Sequence, residues 1–198
     1  MHYIVFIEGV SGAGKTTTAT YLYNRLLKMD YNVKCYLEGD SDNPLDPFEG
    51  KFPPPMTSLM FSDTYLKCWE NFSKNNRQNG LIYILDGTLF HHQINDLIRE
   101  YKASDDYIIN HLSNILHYIQ NFNPIVFYLS SNDVGMRLRL ARERRKQSIS
   151  TDEKIDFWEN RKRIDLYALK SLSIESHTLN VDDGWNEAVE IMYNKIKF

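Results

Sequence analysis

Nine residues near the start of the chain, Gly9-Val10-Ser11-Gly12-Ala13-Gly14-Lys15-Thr16-Thr17, fit the pattern G-x-x-x-x-G-K-[ST]. Gly9, Gly12 and Gly14 can take backbone angles closed to residues that carry a Cβ. Successive N–H groups then point inward and cradle phosphate oxygens. A helix starting near Lys15 adds the positive end of its dipole. Lys15 is expected to reach the β- and γ-phosphates, and the Thr16 hydroxyl to coordinate Mg²⁺. The cofactor-binding set is therefore Gly9, Ser11, Gly12, Ala13, Gly14, Lys15, Thr16 and Thr17, and the expected cofactors are ATP and Mg²⁺. The glycine spacing does not meet G-x-G-x-x-G, and Lys15-Thr16 is the wrong ending for a dinucleotide loop.

Other residues are candidates for the same chemistry. Asp86 follows the apolar run 81–85, so a buried strand delivers a carboxylate that can hold Mg²⁺ directly or through water. It competes with a plain Asp-Gly turn. Glu38 and Asp40 close an earlier strand; Glu38, nearer the strand end, is the expected base for an acceptor hydroxyl. A solvated acidic turn is the alternative. Five arginines fall in the nine residues 137–145. Guanidinium groups grip phosphate oxygens two at a time, which suits a basic lid over residues 133–150. Arg139 and Arg142 are the catalytic candidates from this cluster, although Arg139 also faces Glu143 at i, i+4. Arg161, Lys162 and Arg163 either extend the cluster or form a solvated face. His91 and His92 do not share a helix face, so a metal pair is not expected; both read as structural, the alternative being that one faces the site near Asp86. Trp69, Phe72 and Trp158 read as core. A guanine-specifying Asn-Lys-x-Asp is missing; Asn194-Lys195-Ile196-Lys197 ends in Lys.

These groups need elements to position them. Residues 3–7 read as a buried strand and 18–28 as a helix with Tyr21, Leu22, Leu26 and Met29 at helical spacing. Strands follow at 31–37, 81–85, 124–129 and 177–181. Helices are expected at 57–76, 89–101 and 104–121, then from Asn132 or Asp133 through Arg145, and at 151–172 and 184–198. Ser104 and Thr151 are candidate N-caps. Residues 47–55 are a loop, with Pro53-Pro54-Pro55 blocking regular structure. Strands alternating with helices predict an α/β fold: a parallel sheet with helices on both faces. No interior Gly/Ser linker breaks the 198 residues, so a single domain is expected.

Composition narrows the partners. A net charge of −3 gives no global pull toward nucleic acid or anionic membrane. No stretch approaches a membrane helix, and the N-terminal apolar run is too short for a signal peptide. Cys35 and Cys68 lack metal-type spacing and read as reduced thiols of a cytoplasmic protein. The expected partners are ATP and a small-molecule acceptor; a homodimer is compatible with the sequence.

The stretch Phe6-Ile7-Glu8-Gly9-Val10-Ser11-Gly12-Ala13-Gly14-Lys15-Thr16-Thr17 closely resembles the P-loop of thymidylate kinases and, less closely, that of deoxynucleoside kinases. The resemblance implies a three-layer P-loop fold with a five-stranded parallel sheet in the order 2-3-1-4-5. It also implies a lid after strand four and an acceptor beside the P-loop. An acid at the end of strand two acts as base in deoxynucleoside kinases, which matches Glu38. Both families carry an acid-Arg pair after strand three, whereas Gly87 follows Asp86 here. Thymidylate kinases often have an acid where this chain has Ser11. Glu38-Gly39-Asp40 with Pro44 and Asp46, Leu85-Asp86-Gly87 with Leu89-Phe90-His91-His92, and Asn180-Val181-Asp182-Asp183-Gly184-Trp185 resemble an uncharacterised group of bacterial P-loop ATP-binding proteins. That resemblance implies fold and ATP binding but no substrate. The expected activity is an ATP- and Mg²⁺-dependent phosphotransferase of the nucleoside/nucleotide kinase type. Its rivals are a kinase for an antibiotic or sugar, and a nucleotide-binding regulatory ATPase without an acceptor.

Overall fold

The structure is a computed structural model; it describes residues 4–49, 51–76, 80–146 and 152–196, with residues 152 and 153 described by their backbone alone. Five strands form one parallel sheet: β1 (Ile4–Gly9), β2 (Val33–Tyr36), β3 (Ile82–Asp86), β4 (Ile125–Ser130) and β5 (Glu175–Asn180). Their order is β2-β3-β1-β4-β5, as the family resemblance implies. Every residue of β1 and β3 is buried, which is what a parallel sheet covered on both faces requires. Helix α1 (Lys15–Leu27) packs on β1, β2 and β3 and touches α7 (Trp185–Lys195). A second group joins α2 (Ser58–Asn75), α4 (Asp105–Ile119), α5 (Val134–Arg144) and α6 (Asp152–Ser171). The remaining helix, α3 (His91–Arg99), follows β3 directly.

Local chemistry sets the helix starts. The Thr57 hydroxyl accepts from the Met60 N–H, Ser104 from Tyr107, and the Asp133 carboxylate from Met136 at 2.7 Å. Asp133, not Asn132, therefore caps the helix that carries the arginines. The Thr151 cap and the end of the expected lid, 147–150, lie outside the described residues, as do Tyr3 and residues 197–198.

Packing corrects several expected faces. In α1 the buried set is Lys15, Thr18, Ala19, Leu22 and Leu26. Tyr21 and Met29 are exposed, because the i, i+3, i+4 stripe that meets the sheet starts at Lys15. In α2, Leu59 and Met60 are exposed although apolar; the sheet side holds Phe61, Tyr65, Trp69 and Phe72. Cys35 and Cys68 are both free thiols. Among the described residues no helix is long and apolar enough to cross a membrane.

The chain runs from β1 out to β2 at the sheet edge, returns to β3 beside β1, then crosses to β4 on the other side of β1. That reversal leaves a crevice outside the carboxyl ends of the strands, where open α/β sheets bind ligands. Gly9, Glu38 and Asp86 stand at or just past those ends.

Candidate functional site

The loop between β1 and α1 is held by its glycines. Gly9 has φ of 142°, and a Cβ there would collide with the Leu129 carbonyl of β4. Gly12 has φ of 81°, and a Cβ would lie 2.6 Å from the Arg137 carbonyl oxygen of α5. A bulkier residue at either position would push the loop off β4 and α5. Trp185, at the start of α7, closes the back of the loop by donating its indole N–H to the Thr18 hydroxyl at 2.8 Å.

Three strand ends meet around Lys15. Its ammonium donates to the Gly9 carbonyl at 3.3 Å. The Thr16 hydroxyl donates to Asp86 Oδ2 at 2.6 Å, and the Glu38 backbone N–H lies 3.4 Å from the same oxygen. A Cβ on Gly87 would lie 3.2 Å from His91 Cβ and 3.6 Å from both Glu38 Oε2 and Lys15 Cε. Gly87 has φ of 65°, a left-handed conformation that favours glycine, and Lys15, Glu38 and His91 sit around it.

These residues line a cavity of about 510 Å³ together with Ser11, Gly12, Gly14, Thr16, Thr17 and a basic wall of Arg99, Arg142, Arg144, Arg145 and Lys154. Trp158 of α6 lines it too, stacked on the His91 ring with centroids 5.4 Å apart. His91 Nε2 lies 3.4 Å from Glu38 Oε1. A second cavity, about 160 Å³, is lined by Lys51, Phe52, His91, His92, Asn95, Asp96 and Arg99. His91 and Arg99 belong to both, so the two cavities adjoin across the first two turns of α3.

Burial sets the electrostatics. It raises the Asp86 carboxyl above its usual range, and the Thr16 hydrogen bond works against the rise. Burial, with the charges of Lys15 and Arg161, holds His91 well below its usual value and so neutral. Burial also lifts Asp96 to about 6.

Asp86 Oδ1 is buried with no hydrogen-bond partner among the described residues. A magnesium ion takes one or two protein oxygens and completes its shell with phosphate and water. Thr16 and Asp86 are such a donor set. Among the described residues no group of three or more His, Cys, Asp or Glu is placed to hold a metal ion.

The structure brings together Lys15, Thr16, Glu38, Asp86 and Arg142. It leaves Arg139 off the cavity lining, with its guanidinium beside Gly135. The expectation that Asp40 shares the acidic end of β2 with Glu38 is resolved: Asp40 turns back to accept the Leu37 N–H at 2.7 Å. Arg161, Lys162 and Arg163 do not extend the basic wall. Arg161 is buried against Asp165, Lys162 donates to the Ser131 carbonyl, and Arg163 pairs with Asp105. Trp69 and Phe72 are core, whereas Trp158 lines the cavity, and of the two histidines His91 faces it, the alternative reading of that pair. Its contact with Glu38 joins residues far apart in sequence.

No protein-family model matches the chain, and no curated protein matches it. Among solved structures it is similar to the YorR protein of Bacillus subtilis, solved in complex with phosphorylated GDP. The identity is 14%, the TM-score 0.58, and the match covers 96% of this chain and 94% of that one. The likeness shows the fold, a P-loop α/β architecture.

Proposed function

We propose that this protein is an ATP-dependent small-molecule kinase of the nucleoside/nucleotide kinase type. The observation that carries the reading is one cavity lined by Lys15, Thr16 and Glu38 and by Arg142, Arg144 and Arg145, with Asp86 buried behind it and bonded to the Thr16 hydroxyl. The likeness to a structure holding phosphorylated GDP supports it.

The loop amides and Lys15 hold the β- and γ-phosphates. Thr16 and Asp86 would hold Mg²⁺, which when bound neutralises phosphate charge. The acceptor lies in the adjoining cavity, so that its oxygen attacks the γ-phosphorus. The new P–O bond forms as the bond to the bridging oxygen breaks and ADP departs. A hydroxyl acceptor gives its proton to the Glu38 carboxylate; a phosphate acceptor needs no such transfer. Arg142 stabilises the charge on the phosphoryl group in flight.

A second reading, a non-nucleotide acceptor such as a sugar or antibiotic, is favoured by the small size of the adjoining cavity, about 160 Å³. One experiment separates the readings. ATP consumption with Mg²⁺ is measured against nucleosides, nucleoside monophosphates, sugars and aminoglycosides, with mass spectrometry of the products. A phosphorylated product names the acceptor class. Lys15→Ala lowers that turnover by about a hundredfold or more; unchanged turnover would refute the phosphate-loop assignment. Hydrolysis that no acceptor stimulates would favour a regulatory ATPase.

A further inference from the structure

Glu8, the residue immediately before the phosphate loop, is 1% exposed, and its carboxylate lies inside the protein. One oxygen, Oε1, accepts the Leu89 N–H at 2.7 Å and the Phe90 N–H at 3.2 Å. The other, Oε2, has no hydrogen-bond partner among the described residues. A buried carboxylate with a single bonded oxygen is a poor choice for stability, since an apolar side chain avoids the desolvation. Its use lies in what Oε1 holds.

Leu89 and Phe90 are the two residues just ahead of α3. A helix leaves its first N–H groups unpaired, and Phe90 offers no side-chain cap. Glu8 supplies the missing acceptor from a different strand. The helix so held carries His91, which lies against Glu38, and Arg99, which lines both cavities. From the other side Arg161 of α6 donates to the His91 carbonyl at 3.1 Å and to the Asn95 side chain. The first turn of α3 is thus gripped between the strand of the phosphate loop and the helix that follows the basic segment.

We propose that Glu8 is a positioning residue: its carboxylate fixes the start of α3, and with it His91 and Arg99, in register with Lys15. The proposal rests on the kinase reading of the cavity, and its test is built so that the two can fail separately. Glu8→Gln keeps an accepting oxygen; Glu8→Met has similar length but no acceptor. Amide hydrogen exchange on the full chain, with and without Mg·ATP, reads the local effect. In Glu8→Met the Leu89 and Phe90 amides exchange about tenfold faster or more, as loss of a backbone hydrogen bond requires, while Glu8→Gln resembles the unmodified protein. Exchange in α1 stays the same in both, and the Kd for Mg·ATP stays within about threefold, because the loop contacts are intact.

With an acceptor found by the panel above, Glu8→Met loses about tenfold or more in kcat/KM for acceptor while KM for ATP holds, and Glu8→Gln restores it. If Glu8→Met fails to fold, Glu8→Asp makes the same comparison, being one methylene too short to span both amides. Equal loosening of α1 and α3, unchanged exchange at residues 89 and 90, or parallel loss of ATP and acceptor terms would overturn the proposal. Absence of any acceptor-stimulated turnover in the unmodified protein would count against the kinase reading alone, and the exchange measurement would still decide the role of Glu8.

Discussion

Replacing Arg161 by methionine removes a guanidinium that is bound on several sides. It donates to Asp165 at 2.7 Å, and both side chains are 2% exposed. It also donates to the His91 carbonyl and the Asn95 side chain, while the Tyr128 hydroxyl donates to Asp165 at 3.0 Å. Without Arg161 the Asp165 carboxylate is left in the interior with a single neutral donor. Breaking a buried ion pair from one side costs about 3–5 kcal/mol. At roughly 2–4 °C per kcal/mol for a chain of this size, the melting temperature falls by about 6–20 °C. Removing the stranded charge as well, in Arg161→Met with Asp165→Leu, recovers more than half of the loss. The remainder, about 1–2 kcal/mol, reflects the unpaired Tyr128 hydroxyl and His91 carbonyl.

The pH dependence has a definite sign. Burial already raises the Asp165 carboxyl above its unfolded value, and the charge of Arg161 is the largest influence opposing that rise. A raised carboxyl stabilises the fold below the unfolded pKa and loses that contribution as pH climbs through the folded pKa. Deleting Arg161 raises Asp165 further, so the deficit of the methionine variant shrinks on acidification. Urea unfolding followed by fluorescence near pH 8 and near pH 5 measures both quantities. A deficit under about 1 kcal/mol at the higher pH, or one that grows on acidification, would refute the buried-pair reasoning.

Further outcomes follow from the same geometry. Arg142→Ala lowers phosphoryl transfer by about tenfold or more, whereas Arg139→Ala stays within about threefold, since only the former side chain lines the cavity; equal losses, read as kcat on the identified acceptor, would contradict that. Burial raises Glu8 from 4.5 to about 8, with the Leu89 and Phe90 N–H groups and Lys15 pulling it back and Asp165 adding to the rise. Its stabilising contribution is therefore full below its unfolded value and fades as pH rises through about 8. Thermal melts lose stability from pH 6 to 9 at up to about 1.4 kcal/mol per pH unit from this group, and Glu8→Gln flattens the slope; equal slopes would count against it. Burial pushes the Cys35 thiol up to about 12 and also raises Cys68. Both alkylate at pH 8 more than about tenfold more slowly than free cysteine, measured by mass spectrometry; a rate like that of the free thiol would show the site to be open.

The phosphate loop was legible because it is local: strand, glycines, Lys15 and helix are contiguous, and their backbone needs are written in adjacent residues. The same holds for the Ser104 cap and for the apolar runs of β1, β3 and β4. Asp86 and Glu38 were legible as strand-end acids, since the carboxyl ends of parallel strands face one crevice wherever each strand sits in the sheet. Periodicity misjudged Tyr21 and Met29, because an apolar residue marks a possible contact and only the packed neighbour decides whether one forms.

Sequence by itself therefore determined the α/β alternation, the glycine-rich loop between β1 and α1 and the acids at the strand ends. The resemblance to nucleoside and nucleotide kinases added the strand order. Tertiary structure decided which charged groups face the cavity. Arg142 lines it, whereas the Arg139 guanidinium lies back beside Gly135. Arg161 lies buried against Asp165, Asp40 folds back on its own turn, and His91 meets Glu38 and Trp158 across the sheet. Glu8, 81 residues from Leu89 in sequence, caps a helix it does not belong to. Such contacts join residues far apart in the chain, and their partners are chosen by strand order and helix packing, which no local pattern encodes.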